Sequence, residues 1–292
     1  MLAGRLGLQT ARIPYVDRHG LLYLVYGNLY VKDGTLRFLA AKSDHMEAGD
    51  YAIPFQMVSV ICIGPGTTVS HDVFRLCARH GCSILAVGDG AVRLYSAPPY
   101  GPDDSALARR QVKFWADEHG HRTRIVREMY ELRFGKLPRQ KDINTLRGME
   151  GIRMRRIYTQ LAQEYGIEWH GRRYDRARPD RTDAPNQAIN HAATAVQAAA
   201  SVAVAATATI PQLGFIHEDS SRSFCLDVAD LYRHAITLPI AFAAVNESRR
   251  SSDPLERCVR RVAGRMFSQH KMIPTMIEQI KQLLRNLPGN QE

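Results

Sequence analysis

Ala97-Pro98-Pro99-Tyr100-Gly101-Pro102 divides the chain. Proline fixes φ and lacks a backbone donor, so three prolines and a glycine within six residues let neither a strand nor a helix run through. On the N-terminal side apolar residues alternate; on the C-terminal side they recur at helical spacing almost to the end. The segment therefore predicts a β-rich domain at 1–96, a Pro-rich linker at 97–104 and a helical domain at 105–292, a multidomain α and β fold.

The β-rich part spans about Leu21 to Ser96. Leu29-Tyr30-Val31 alternates into Lys32-Asp33-Gly34, after which Leu36 and Phe38 alternate with Thr35 and Arg37. Asp-Gly tolerates the positive φ of tight hairpin turns, so the pattern predicts a hairpin. The apolar run Val58 to Ile63 suits a buried strand. Ser70 as N-cap, the stripe Val73, Leu76 and Cys77, and Gly81 as terminator predict one helix. Ser83 to Val87 predicts a strand, Gly88-Asp89-Gly90 a turn, and Val92 to Tyr95 a further alternating strand. Beyond the prolines, helical stripes are expected from Ile125, Met129, Leu132 and Phe134, from Ile152, Ile157 and Leu161, and from Leu255, Val259, Val262 and Phe267.

Composition narrows the function. With 45% hydrophobic and 23% charged residues the chain is a packed globular protein rather than a disordered one. Its formal net charge is +10. Most of that excess lies in residues 121–182, where 16 basic residues face 8 acidic ones, and a basic window of this kind favours a polyanionic partner. The five cysteines are odd in number, lack a CxxC pair and sit mostly in apolar runs, as expected of buried free thiols in a reducing cytoplasm. The first twenty residues lack the apolar core of a signal peptide. Ala192 to Ile210 is uncharged and long enough to cross a bilayer, but it is built of Ala, Thr, Ser and Val around Gln197. Small residues suit close helix packing, so a buried central helix is expected there rather than a membrane span.

Three positions carry candidate chemistry. Glu150 is a lone acid among Arg147, Arg153, Arg155 and Arg156. His217 ends the apolar run Gly214-Phe215-Ile216. Asp227 and Asp230 stand three residues apart in an apolar segment, on one face of a helix. Neighbouring, partly buried aspartates repel each other, and a bound cation relieves both costs. Glu, His and Asp together suit Mg2+ or Mn2+, which can activate a water or a 3′ hydroxyl and stabilise charge on phosphate oxygens. Alternatively Glu150 pairs with Arg147 or Arg153, His217 is an ordinary half-buried histidine, and Asp227 and Asp230 cap a helix or pair with Arg233. Spacing alone does not bring Glu150 and His217 together.

Several segments in register resemble one family. They are Tyr26-Gly27, Pro65 to His71, Gly90 to Tyr95, Glu131-Leu132-Arg133-Phe134-Gly135, Leu146 to Gly151, Gly171 to Asp175, Gly214 to His217 and Asp227 to Asp230. Together they are similar to the CRISPR-associated spacer-acquisition integrases, the first-numbered of the Cas proteins, and specifically the subtype I-E branch. The resemblance implies an N-terminal β-sandwich and a C-terminal all-α domain. It implies Glu150, His217 and Asp230 as metal ligands, with Asp227 as a further acid of the site. It implies DNA contacts at Tyr26, Arg93, Arg172, Arg173 and Tyr174, and the arginines around Glu150, Arg147 and Arg153 among them, would hold the DNA backbone. The implied activity inserts short foreign DNA fragments into the repeat array through attack by a 3′ hydroxyl on a phosphodiester, and also cuts branched DNA. The implied partners are double-stranded and fork-ended DNA, CRISPR repeat DNA, a second copy in a homodimer and the small ferredoxin-like second Cas protein. The chain departs from the pattern at Thr68, where relatives often carry arginine, and at Glu218-Asp219, which are unusually acidic.

Two other functions compete. One is a structure-selective nuclease of DNA repair, using the same residues with water as nucleophile. The other is a non-catalytic DNA-binding scaffold, which needs the basic window but not the acids; Glu150, Asp227 and Asp230 would repel phosphate without a metal between them.

Overall fold

The computed structural model describes residues 20–43, 46–96, 105–117, 120–135, 143–173 and 182–285. The predicted linker 97–104 lies outside the described residues.

Two four-stranded sheets make the N-terminal part. One has the order β1 (Gly20–Leu24), β5 (Val58–Ile63), β7 (Ser83–Val87), β8 (Leu94–Ser96); the other runs β4 (Gly49–Ile53), β3 (Thr35–Ala40), β2 (Gly27–Lys32), β6 (Thr67–Val69). The β2–β3 hairpin closes as expected, with Lys32 opposite Thr35. Asp33 (φ 50°) and Gly34 (φ 74°) form its two-residue turn, and positive φ at both positions matches the right-handed strand twist. Helix α1 (His71–His80) starts after Ser70 and stops at Gly81, whose left-handed conformation (φ 66°) costs a glycine little. It carries the chain across to β7, which pairs in parallel with β5.

Between the sheets lies one apolar core, containing Leu29, Leu36, Phe38 and Ile53 from one sheet, Leu24, Val58 and Ile61 from the other, and Val73 and Cys77 from α1. The β1-β5-β7-β8 sheet is covered on its second face as well: Val60, Cys62, Leu85 and Val87 belong to the core of the helical part. A register shift against β1, between Val58 and Val60, turns Val58 toward one core and Val60 toward the other. The two sheets therefore stack, and one of them is a middle layer whose central parallel strands, β5 and β7, pack on both faces.

The predicted strand at Val92 to Tyr95 is shorter than expected. Residues Asp89–Ala91 form a 3-10 turn with positive φ at Gly90 and Ala91, Val92 stays in a helical conformation, and pairing begins only at Leu94.

The helical part comprises α2 (Ala106–Ala116), α3 (His121–Phe134), α4 (Ile143–Glu164), α5 (Ala184–Ala206), α6 (Ser223–Asp230), a π-helical turn (Arg233–Thr237), α7 (Leu238–Arg250), α8 (Leu255–Gln269) and α9 (Met272–Leu283). Helix α5, the alanine-rich segment, is its centre. Asp183 caps it by accepting the Asn186 N–H, and its small side chains let α6, α7, α8 and α9 pack around it. It is a core helix, as expected. Two expectations about helix faces fail. Leu132 and Ile152 are exposed. On α3 the buried positions run Ile125, Met129, Arg133, a spacing of four that leaves Leu132 facing solvent and turns an arginine inward.

Candidate active site

The loop carrying His217 is fixed from several sides. The buried Gln111 of α2 donates to the carbonyls of Ile210 (2.9 Å) and Leu213 (2.7 Å) and accepts the Ile210 N–H (2.7 Å). Trp115, one turn on, donates from Nε1 to the Gly214 carbonyl at 2.9 Å. Gly214 is packed so closely that a Cβ there would lie 2.2 Å from the His217 carbonyl oxygen.

The loop then folds around a single carboxylate. Asp227 is 1% exposed. Its Oδ2 accepts the backbone N–H groups of Phe215 (2.6 Å) and Ile216 (3.1 Å); its Oδ1 accepts that of His217 (3.0 Å) and lies 2.7 Å from His217 Nδ1. Asp227 is thus engaged on all sides by the loop it orders, and helical spacing with Asp230 does not make the two a matched pair of ligands. With Nδ1 engaged, the other ring nitrogen, Nε2, faces Asp230 Oδ2 at 3.9 Å. The hydrogen bond that His217 makes to Asp227 raises the proton affinity of the ring above the ordinary histidine value against the opposing effect of burial, and the charges of Asp227, Asp230 and Glu150 add to the rise. Glu218, which follows in sequence, pairs instead with Arg122 of α3.

Glu150, on α4, is close enough to bias the protons of both His217 and Arg233. The structure therefore gathers Glu150, His217, Asp227 and Asp230 into one electrostatic cluster. Its two outer acids are held by arginines. Arg133 Nη2 lies 2.6 Å from Glu150 Oε1, and Arg233 Nη1 lies 3.1 Å from Asp230 Oδ1. Burial works against the Arg233 charge, but Asp230, Tyr158 and Glu150 outweigh it and hold the guanidinium protonated. Among the described residues no three His, Cys, Asp or Glu side chains converge as metal ligands. The donor types are those a divalent cation accepts, an imidazole with one nitrogen locked and the carboxylates of Asp230 and Glu150, each of which is here paired with a guanidinium instead.

The expected DNA contacts fall in different settings. Tyr26 sits between β1 and β2 with φ 54°, an uncommon conformation for an aromatic residue, and its ring is half exposed. Arg93 pairs with Glu256 and lines a cleft of about 950 Å³ between β8, α5 and α6. Arg153 donates to the Phe134 carbonyl at the end of α3. Arg172 donates to Asn186 and Asn190 of α5, and the exposed Arg173 shares Asn186 through its backbone N–H. Tyr174 and the side chain of Arg147 lie outside the described residues. At the departure from the family pattern, Thr68 donates to Asn28 Oδ1 at 2.9 Å.

A family model, CRISPR associated protein Cas1, matches residues 122–262. The CRISPR-associated endonuclease Cas1 of Geobacter sulfurreducens is 33% identical over 273 residues, 93% of this chain and 86% of that protein. The chain belongs to the Cas1 family. The family protein of Escherichia coli K12 is 34% identical over 273 residues, 93% of this chain and 87% of that one. Among solved structures, a TtCas1–DNA complex aligns at a TM-score of 0.81 with 31% identity, covering 92% of this chain and 98% of that one. A casposase bound to its integration product shares the fold, at a TM-score of 0.64 and 14% identity over 91% of this chain and 95% of that one.

Sequence reasoning passed over Arg133 as a member of this site. The expected stripe of Ile125, Met129, Leu132 and Phe134 placed the buried face beside it, and only the packed helix turns Arg133 inward. The loop anchors Gln111 and Trp115 lie about a hundred residues from what they hold, and no local pattern announces them.

Proposed function

We propose that this chain is a metal-dependent DNA integrase and endonuclease of CRISPR adaptation, of the subtype I-E branch, acting in the cytoplasm. Its 3′-hydroxyl-bearing substrate is a short double-stranded, fork-ended fragment and its target is CRISPR repeat DNA. The observation that carries this reading is the His217 arrangement: a buried carboxylate locks Nδ1 and aims Nε2 at Asp230, within the electrostatic reach of Glu150. A histidine so oriented is prepared as a ligand rather than as a surface charge. Family membership, the DNA in the TtCas1 complex and the endonuclease names of the relatives support it.

Glu150, His217 and Asp230 would hold Mg2+ or Mn2+, which when bound supplies charge neutralisation at the reacting phosphate and lowers the proton affinity of the attacking hydroxyl. The chain's own residues do the rest. Asp227 keeps the imidazole in one tautomer and orientation. Arg133 and Arg233 keep the pocket from repelling a phosphodiester through its acids alone. The basic surface would hold DNA without reading its sequence, with Tyr26 offering a stacking face to a splayed end. Joining replaces one phosphodiester with another, so it needs no nucleotide hydrolysis. A homodimer and the small ferredoxin-like second Cas protein complete the proposed assembly.

The test incubates the chain, with and without the small partner, with a fragment, a supercoiled repeat plasmid and Mn2+. Strand-joined product that disappears in Glu150→Ala and in EDTA supports the proposal. Cleavage without joining, even with the partner present, favours the repair nuclease. Full activity in EDTA overturns the metal reading.

A further inference from the structure

Arg133 presents an unusual balance of charge. It is 4% exposed, and its guanidinium lies over the rings of Phe134 (4.9 Å) and Tyr130 (6.0 Å). Its Nε and Nη2 make no well-aligned hydrogen bond. The 2.6 Å approach to Glu150 is therefore an ion pair, held by charge more than by donor geometry. A buried guanidinium deprived of its counter-ion is costly, because among the described residues its Nε and Nη2 have no hydrogen-bond acceptor to take that place. Arg233 differs: it is more exposed, and Tyr158 lies 3.3 Å from its Nε as a second partner.

The same Glu150 carboxylate is a proposed metal ligand, and it cannot serve a guanidinium and a dication equally. We propose that Arg133 is the resident counter-cation of the ligand pocket: it competes with the incoming metal for Glu150, and so is a positioning residue that sets metal affinity. This inference rests on the metal reading above. Before the metal arrives, Arg133 keeps Glu150 neutralised and oriented. Loading draws the carboxylate away and leaves the guanidinium to the two aromatic rings, whose faces attract a cation more weakly than a carboxylate does. The cost of that exchange is subtracted from the binding of any ion. A divalent ion gains more from Glu150 than a monovalent one, so the same cost weighs more heavily against the monovalent ion.

The test measures Mn2+ binding by calorimetry and electron paramagnetic resonance, without DNA, on the native chain, Arg133→Gln and Arg133→Lys. A coupling of the size usual between contacting residues predicts that Arg133→Gln tightens Mn2+ binding about tenfold. Arg133→Lys keeps the charge on a shorter arm and falls between the two, which maintains the test where the glutamine variant fails to fold. A crystal structure of the native chain with Mn2+ bound is expected to show Glu150 on the metal and separated from Arg133. Unchanged or weaker Mn2+ binding in both variants, or a Glu150–Arg133 contact retained beside bound Mn2+, overturns the inference and leaves the metal reading standing. A native chain that binds no Mn2+ overturns both.

Discussion

Asp227 and His217 are joined twice through one oxygen: Oδ1 of the aspartate accepts the histidine's backbone N–H and engages its ring Nδ1. Main chain and side chain are thereby fixed together. Replacing Asp227 with alanine leaves the Phe215, Ile216 and His217 amides without their acceptor and releases the ring. The expected loss is about 3 kcal/mol, seen as a fall in Tm of about 6–12 °C, together with loss of strand joining. Asp230→Asn, at the cluster's edge, is expected to abolish joining while leaving Tm and DNA binding nearly unchanged. A fall in Tm as large as that of Asp227→Ala would make Asp230 structural.

The same contact gives a pH signature. The folded state raises the proton affinity of His217 above its ordinary value of 6.5. A raised pKa contributes stability that is present in full below the unfolded value and is lost as pH rises through the folded value. In EDTA, urea denaturation should therefore show stability falling above about pH 6.5 in the native chain, and less so in His217→Gln. Equal profiles in the two chains would remove His217 as the source.

Gly214 predicts a backbone effect. A methyl group there meets the His217 carbonyl at 2.2 Å and Ser223 at 2.8 Å, and neither can retreat without disturbing the loop or the start of α6. Gly214→Ala should cost about 2–3 kcal/mol and reduce joining although no candidate ligand is changed. An unchanged melting curve would refute the packing argument.

Tyr23 predicts an alkaline transition. Its hydroxyl donates to the Gly88 carbonyl (3.2 Å) and accepts the Gly90 N–H (3.0 Å), tying β1 to the turn after β7. Burial pushes its pKa from 10.0 to about 12. Because the unfolded phenol ionises first, stability should decline between about pH 10 and 12, and Tyr23→Phe should lack that part of the decline. At neutral pH the variant should lose about 1 kcal/mol for the abandoned Gly90 amide. Parallel alkaline profiles for the two chains would contradict this.

Much of the architecture was legible because it is local. Asp33-Gly34 dictates its hairpin, Gly81 its helix end, and the alanine-rich run its buried helix. Asp227 and Asp230 were found from spacing, but spacing treated them alike. The structure separates them, because the amides that claim Asp227 come from a loop ten to twelve residues earlier whose course the sequence does not reveal. Arg133 escaped for a related reason: a charged letter reads as surface, and only packing shows that this one replaces a core side chain.

The shared core of the middle sheet has a consequence for biosynthesis. Val60, Cys62, Leu85 and Val87 are finished by helices that follow much later in the chain. Arg93 meets Glu256, at the start of α8, 163 residues downstream. As the polypeptide emerges from the ribosome, the sandwich side of that sheet can close early, but its other face waits for the helices that follow residue 105. The N-terminal part is thus the first made and among the last completed, and the interval between is when a nascent chain of this kind depends most on chaperones.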